Sequence, residues 1–309
     1  MPTMKTLVHT VAAALVFLAI PFTLSAQWPA FPSPGVPKLP DGKPNMDGPT
    51  PHTADGKPDL AGIWQFDDAF RGQRRQAAAG TIAGSGSAPA PAAGAASATP
   101  APPAAGGTGL GPGPLGPNQF FNIGSTLKDG LPFTPWAVAL RKERKENNNK
   151  DNPDAHCLPL GLMQLHTHPQ PRKIIQTPGL MVILYEAQAG VRQIFMDGRP
   201  LPNTDPDPWW YGYSIGHWDG DTLVVETTGF RDDVWLDVEG SPLTNTGKMT
   251  ERFRRVNFGH LEIQITVEDP KAYTKPWTIL IKQHLLVDTD LIEFICNENE
   301  RSDNHLVGK

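Results

Sequence analysis

The feature that most constrains this chain of 309 residues is a long series of short strand-forming segments in its C-terminal half. The clearest is Leu261–Glu268, where apolar and polar side chains alternate as in a strand with one solvent-facing side. Pro178-Gly179 and Asp219-Gly220 separate neighbouring segments, and such pairs are typical of tight turns. The predicted strands after residue 172 are Lys173–Thr177, Leu180–Glu186, Val191–Asp197, Tyr211–Trp218, Thr222–Phe230, Lys248–Val256, Leu261–Glu268, Trp277–Leu286 and Leu291–Asn297.

One further strand and one helix are predicted before this series. The strand covers Gly62–Phe66 and brings the number to about ten. The helix covers Phe133–Asn147, where Thr134 can cap it and Pro135 suits its first turn. Closing the strands into a ring removes the exposed edges of the sheet. We therefore predict an all-β fold, an antiparallel meander barrel of about ten strands with one accompanying helix.

Composition excludes several classes of protein. Glycine (30) and proline (33) make up about a fifth of the chain, against about 12% in average proteins, which disfavours a mostly helical fold. A hydrophobic fraction of 39% with eight tryptophans is enough for a core. Only 19% of the residues are charged and the net charge is −5, so no basic surface for nucleic acid or for membrane lipids is expected.

Much of the glycine and proline lies in two segments. Residues 27–57 are predicted to form an extended arm, with turns in the near repeats Asp41–Met46 and Asp55–Leu60. Residues 77–117 contain 14 Ala, 10 Gly and 8 Pro and no charged residue, so we expect a disordered, flexible insertion there. The barrel domain is then predicted over residues 58–309.

The first 26 residues have the pattern of a cleavable export signal. Lys5 is the only charged residue, an apolar run covers Leu7–Leu24, and a small-residue cleavage site ends at Ala26. The alternative is a membrane anchor, for which about 18 residues interrupted by Pro21 are marginal. No other segment is apolar enough to cross a bilayer. We expect a soluble protein in the periplasm or outside the cell.

Export also changes the expectation for the two cysteines, Cys157 and Cys296. Two cysteines in an oxidising compartment predict one disulfide. In the alternative, Cys296 is a nucleophile or Cys157 a ligand, but no Cys-His pattern of known spacing supports those roles.

Strand parity identifies candidate catalytic residues. Glu251 and Arg255 share a strand face with Met249 and Phe253, whose apolar side chains indicate burial. The last predicted strand extends an inward face to Glu298, so facing strands would bring the two carboxylates and the guanidinium together. Such a pair can hold one raised and one lowered pKa for general acid–base chemistry. A structural ion pair that fixes the strand register is the alternative.

Histidine and aromatic residues give further candidates. His166 and His168 have a spacing used by metal sites, but no third ligand is identifiable, so a polar loop is the alternative and no metal or other cofactor is predicted. Trp210 and Tyr213 belong to an aromatic run that would stack on a sugar or aromatic ligand, or would form core and rim. His217 shares the parity of Tyr213, which makes it a pocket-lining residue or a surface histidine.

Two resemblances follow from these residues. The segment Asp59–Trp64 resembles the Gly-x-Trp opening of the lipocalin-like (calycin) barrels, where the tryptophan closes one end. This resemblance implies barrel architecture. The runs Tyr213–Phe230, Glu251–Arg255 and Cys296–Glu300 are similar to a family of secreted bacterial proteins common in soil bacteria such as Acidobacteria. That family has no assigned activity, so the similarity implies secretion but no substrate.

These patterns favour an exported β-barrel that binds a small apolar or aromatic ligand. One alternative is a lyase, isomerase or hydrolase on the same barrel, with Glu251 and Glu298 as acid and base and Arg255 holding an anion. Another is an interaction module of the cell envelope. Phosphate-loop, dinucleotide and Gly-x-Ser-x-Gly patterns are absent, which disfavours a nucleotide enzyme or a standard hydrolase. The predicted pocket consists of Trp64, Trp210, Tyr213, His217, Glu251, Arg255 and Glu298.

Overall fold

The computed structural model describes residues 31–67, 123–202, 207–296 and 298. Every element below belongs to the unit that covers residues 33–309. The export signal predicted for residues 1–26 and the insertion predicted for residues 77–117 lie outside the described residues.

Nine strands close into a barrel, so the predicted all-β barrel is confirmed. In order around the ring they are β1 (Gly62–Phe66), β11 (Trp277–Leu286), β10 (His260–Glu268), β9 (Lys248–Arg255), β6 (Thr222–Thr228), β5 (Tyr213–Asp219), β4 (Gly190–Phe195), β3 (Leu180–Tyr185) and β2 (Arg172–Gln176). The short strands β7 (Val234–Trp235) and β8 (Pro242–Leu243) pair with each other in a separate two-stranded sheet.

The barrel departs from a pure antiparallel meander at one place, where β4 and β5 run parallel. Strand directions cannot alternate all the way around a ring with an odd number of strands, so nine strands require a parallel neighbour. Because β4 and β5 run parallel, both strands begin at the same end of the barrel. This seam has only two register pairs, Ile194 with Ser214 and Phe195 with Ile215.

The predicted helix is present as α1 (Pro135–Glu146), where the Thr134 hydroxyl accepts a hydrogen bond of 3.3 Å from the Ala137 N–H. A second helix, α2 (Leu162–Thr167), was not predicted, and all six of its residues are buried. Six residues are too few to show a helical period, and so short a helix is stable only through its packing. In the described part of the chain, no helix is long and apolar enough to span a membrane.

Inward-facing apolar side chains form the core of the barrel. In β10, Leu261, Ile263, Ile265 and Val267 are fully buried and alternate with less buried polar residues, as the sequence predicts. In β9 the buried face carries Met249, Glu251, Phe253 and Arg255, so the predicted parity of this strand is confirmed as well.

The strand predicted over Leu291–Asn297 is wrong. Residues 291–296 contain no strand, and Ile292, Phe294 and Ile295 are exposed. The physical reason is the closure of the ring, because β11 already pairs with β10 and β1 and offers no free edge. The predicted disulfide between Cys157 and Cys296 is confirmed, with 5.5 Å between the two Cα atoms.

The near repeat of the N-terminal arm builds the same turn twice. The Leu39 N–H donates to the Lys43 carbonyl, and the Thr53 N–H donates in the same way to the Lys57 carbonyl, each over 2.8 Å. The turn glycine has a φ of 84° in the first copy and 77° in the second, values that favour glycine. The turns predicted at each Asp-Gly are therefore present.

Trp64 and Arg255 pack against each other at the end of the barrel that contains the turn between β9 and β10. The buried Trp64 indole donates to the Leu60 carbonyl over 2.9 Å, and the Arg255 guanidinium lies 5.0 Å from the centroid of its ring. Arg255 also donates to the carbonyls of Phe258 and Asp59. One side chain thus connects the segment before β1, the tryptophan and the β9–β10 turn.

We predict that Arg255→Lys lowers the free energy of unfolding by about 2–3 kcal/mol, because an ammonium group cannot reach all these acceptors at once. Arg254→Lys is the matched control, since Arg254 is exposed and pairs with Glu262 on the outer face. It should change stability by less than about 1 kcal/mol. Urea denaturation measures both variants, and an equal loss in the two would contradict this role of Arg255.

Candidate functional site

A group of polar side chains crosses the interior of the barrel. All of its members are buried. Most point inward from the strands, and α2 contributes a histidine. We call this group the interior polar cluster, and its members are His166, Arg172, Tyr185, Arg192, Ser214, Thr227, Glu251 and Gln283.

The centre of the cluster is an ion pair between Arg192 and Glu251. The Nη1 atom of Arg192 donates to Oε1 of Glu251 over 3.1 Å, and Nη2 donates to Oε2. The same guanidinium donates to the hydroxyls of Ser214 over 3.1 Å and Thr227 over 2.9 Å. Two-point pairs of this kind are among the strongest hydrogen-bonded contacts in proteins. Four strands, β4, β5, β6 and β9, are joined by these bonds.

His166 connects this ion pair to Arg172. Its Nε2 atom lies 2.6 Å from Oε1 of Glu251, and its Nδ1 atom lies 3.0 Å from Nη1 of Arg172. A guanidinium only donates, so Nδ1 accepts and Nε2 carries the proton that is donated to Glu251. Burial lowers the pKa of His166 and outweighs the opposing effect of Glu251. The imidazole is therefore neutral at pH 7, with both nitrogens engaged.

The Glu251 carboxylate is ionised. Burial opposes ionisation, but Arg192 and His166 outweigh it and lower the pKa of Glu251 to about 2. A general acid that works near neutral pH needs a raised pKa instead. This carboxylate is a structural anion of the cluster rather than a proton donor.

Arg172 differs from Arg192 because all its partners are neutral. It donates to the carbonyl of His166 over 3.1 Å, and the side-chain oxygen of Gln283 accepts from its Nη atoms when the amide oxygen faces them. Within the residues that the structure describes, its buried Nε–H has no acceptor. Burial lowers the pKa of Arg172 to about 10, which leaves it cationic at neutral pH.

Tyr185 lies directly opposite Arg172 in the β2–β3 register. Its hydroxyl is buried and makes no hydrogen bond of acceptable geometry within the described ranges, although Arg192 is close enough to act on it. Burial raises the pKa of this phenol, so it stays protonated. The two neighbouring strands therefore present two buried donors, one on Arg172 and one on Tyr185, that lack an acceptor.

The predicted grouping of Glu251, Arg255 and Glu298 does not form. Glu251 and Arg255 are four residues apart on β9, which separates them by about 13 Å at 3.3 Å per residue. Arg255 is engaged with Trp64 and backbone carbonyls, as described above. Glu298 is exposed, because the strand that would carry it inward does not exist. The expected carboxylate pair is corrected on these grounds.

The predicted aromatic pocket is also divided. Trp64 points into the barrel, but Tyr213 lies on the outer face, where it stacks on Phe195 with 5.1 Å between ring centroids. Trp210 is partly buried, and the guanidinium carbon of Arg231 lies 4.5 Å from the centroid of its ring. His217 is exposed on the outer face, which corrects its pocket-lining role. The buried residues of β5 are Ser214 and Gly216 instead.

The metal alternative for His166 and His168 is not supported by the geometry. His166 uses both ring nitrogens in hydrogen bonds, and His168 is buried. Across the described ranges, no group of three or more His, Cys, Asp or Glu side chains is placed to hold a metal ion.

Sequence reasoning missed Arg172, Tyr185 and Arg192, and it did not connect His166 with Glu251. Strand parity could have identified Arg192 as an interior residue, since it shares its strand face with the buried Ile194. That signal is weak in β4, because Val191 and Phe195 make the opposite face equally apolar.

Comparisons with known proteins do not add to this description. No family model matches the chain, and neither a curated protein nor a solved structure does. The resemblances noted in the sequence therefore stay predictions. What defines the class of this protein is a closed mixed β-barrel with a charged interior.

We predict strong coupling between Arg192 and Glu251. Arg192→Met or Glu251→Met alone leaves a buried charge unpaired and should lower the free energy of unfolding by about 3–5 kcal/mol. The double variant should lose far less than the sum, because Ser214 and Thr227 still bond to each other over 2.9 Å. A urea double-mutant cycle measures the coupling, and additive losses would contradict it.

We predict that stability falls on acidification because of His166. Its folded-state pKa lies below the ordinary value of 6.5, so the unfolded chain binds the proton first and stability decreases as the pH falls below about 6.5. Glu251 adds a second decrease below its ordinary value of 4.5. Melting temperatures between pH 8 and pH 4 should show a shallower first decrease in His166→Gln. His217→Gln, at an exposed position, should match the wild type, and equal curves for all three would refute the assignment.

Proposed function

We propose that this protein is an exported β-barrel that binds a small molecule against the interior polar cluster. The observation that carries the proposal is the pair of buried donors without acceptors, the Nε–H of Arg172 and the hydroxyl of Tyr185. Buried donors in proteins nearly always have a partner, and each one left without a partner costs about 1–3 kcal/mol. A bound molecule that accepts a hydrogen bond from each group would explain why both donors are buried without an acceptor from the protein.

The rest of the cluster supports a binding role over a purely structural one. Glu251, Arg192 and His166 satisfy one another's hydrogen bonds. In a polar network that served only to stabilise the barrel, every member would be satisfied in this way. Within the interior polar cluster, the two donors without an acceptor lie on β2 and β3. Trp64 is the register partner of Arg172 on β1, so an apolar or aromatic surface adjoins these donors. This combination favours a ligand with one polar group and an apolar body.

An enzyme that uses paired carboxylates gains no support from this geometry. Glu251 is held ionised by two partners, and Glu298 is exposed outside the barrel. Export is supported by the disulfide between Cys157 and Cys296, because such bonds persist in oxidising compartments. This bond supports the proposed location in the periplasm or outside the cell, with the first 26 residues removed.

Native mass spectrometry of protein purified from the organism that makes it tests this proposal. The expected spectrum shows the chain from Gln27 onward with an additional small-molecule mass that is released on denaturation. A spectrum with the bare chain alone, combined with no thermal stabilisation by an extract of the host's small molecules, would overturn the binding role.

Tyr185→Phe sharpens this test. If a ligand accepts from the hydroxyl, the variant should retain less of it, while the ligand-free protein keeps its melting temperature or gains slightly because an unsatisfied donor is removed. Tyr213→Phe is the matched control on the outer face and should retain the ligand as the wild type does. Equal retention by both variants would count against Tyr185 as a contact.

A further inference from the structure

We infer that the ligand is a small organic carboxylate, whose two oxygens accept from Arg172 and Tyr185. This inference rests on the proposed function and adds the chemical class of the ligand. It depends on an observation that the unsatisfied donors alone do not provide, namely the balance of charge within the interior polar cluster.

The interior polar cluster carries one uncompensated positive charge. Arg172 and Arg192 contribute two cations, Glu251 contributes one anion, and His166 is neutral, which leaves a net charge of +1. A buried charge without a partner is strongly unfavourable, because the protein interior does not replace the solvation that water provides. One negative charge from a ligand would make the cluster neutral.

The negative charge that would neutralise the cluster should lie beside Arg172 rather than Arg192. Both oxygens of Glu251 are occupied, Oε1 by His166 and Arg192 and Oε2 by Arg192. The other acidic side chains that are buried among the described residues are Asp237 and Asp269, and they accept hydrogen bonds from loop residues. Arg172 is thus left without an anionic partner within the described part of the chain.

The position of Tyr185 beside Arg172 suits a carboxylate. Its side chain and that of Arg172 are register partners on adjacent strands, so their Cβ atoms are about 5 Å apart. A carboxylate has two oxygens in a plane and can accept from a guanidinium and a phenol at the same time. The neighbouring Trp64 favours an apolar or aromatic body attached to it.

Matched pairs of probes test the charge requirement. We would titrate the protein calorimetrically with 3-phenylpropionate and octanoate, and with the primary amide of each acid. The amides keep the shape and the carbonyl acceptor but lack the charge. We expect each acid to bind at least tenfold more tightly than its amide. Equal affinity of acid and amide would overturn the carboxylate while leaving the proposed binding function intact.

Inorganic anions are a second source of negative charge, and they form a separate arm. Chloride and phosphate are tested alone, by melting temperature at constant ionic strength. Stabilisation by either ion with no further effect of the organic acids would overturn the inference in favour of a simple ion site. If no probe binds and native mass spectrometry shows the bare chain, the proposed function itself fails.

Variants locate the site. Arg172→Met should abolish the preference for the acid over the amide, and Tyr185→Phe should weaken acid binding several-fold while leaving a preference for the acid. Lys173→Met makes the same chemical change at the next residue of β2, whose side chain pairs with Asp290 outside the cluster, and should bind like the wild type. If Arg172→Met does not fold, Tyr185→Phe still decides, since an unchanged affinity there would refute the contact.

Discussion

The Arg192–Glu251 ion pair is the contact on which the interior of this barrel depends. A carboxylate and a guanidinium cannot remain charged in an apolar core unless their hydrogen-bonding atoms are matched, and here β4, β5, β6 and β9 supply the matching groups. The partners must stand at these heights on their strands for the bonds to form. A slip of β9 by one residue would turn Glu251 outward and leave Arg192 unpaired, so the pair helps to specify the register.

The helix α2 depends on the same contact. Its six residues have little intrinsic tendency to form an isolated helix, yet all of them are buried. His166 anchors the helix by donating to Glu251 and accepting from Arg172. The neutral imidazole lies between two parts of the cluster. On one side is the Arg192–Glu251 ion pair, and on the other is Arg172, whose Nε–H has no acceptor among the described residues.

Prediction from sequence succeeded where one strand face was clearly apolar and failed where both faces were. The alternation in β9 placed Glu251 inside correctly, because Met249 and Phe253 flank it. In β4 both faces carry apolar side chains, so Arg192 could not be assigned to the interior. The charged partners of Glu251 come from distant parts of the chain, and no local pattern encodes such pairing. The false C-terminal strand had a strand-like composition but no free edge to join.

The parallel contact between β4 and β5 gives a structural role to small polar residues whose side chains alone do not suggest one. Only two register pairs join these strands. The hydrogen bond from Arg192 to Ser214 is therefore an important part of what holds β4 and β5 together. Serine and threonine exchange freely at most positions of a protein, and a comparison of related chains would ordinarily treat such changes as neutral. At Ser214 and Thr227 a serine–threonine exchange would alter the hydrogen bonds to Arg192 that help to close the ring. Among related chains, sequence variation should therefore be lowest at these two small polar residues.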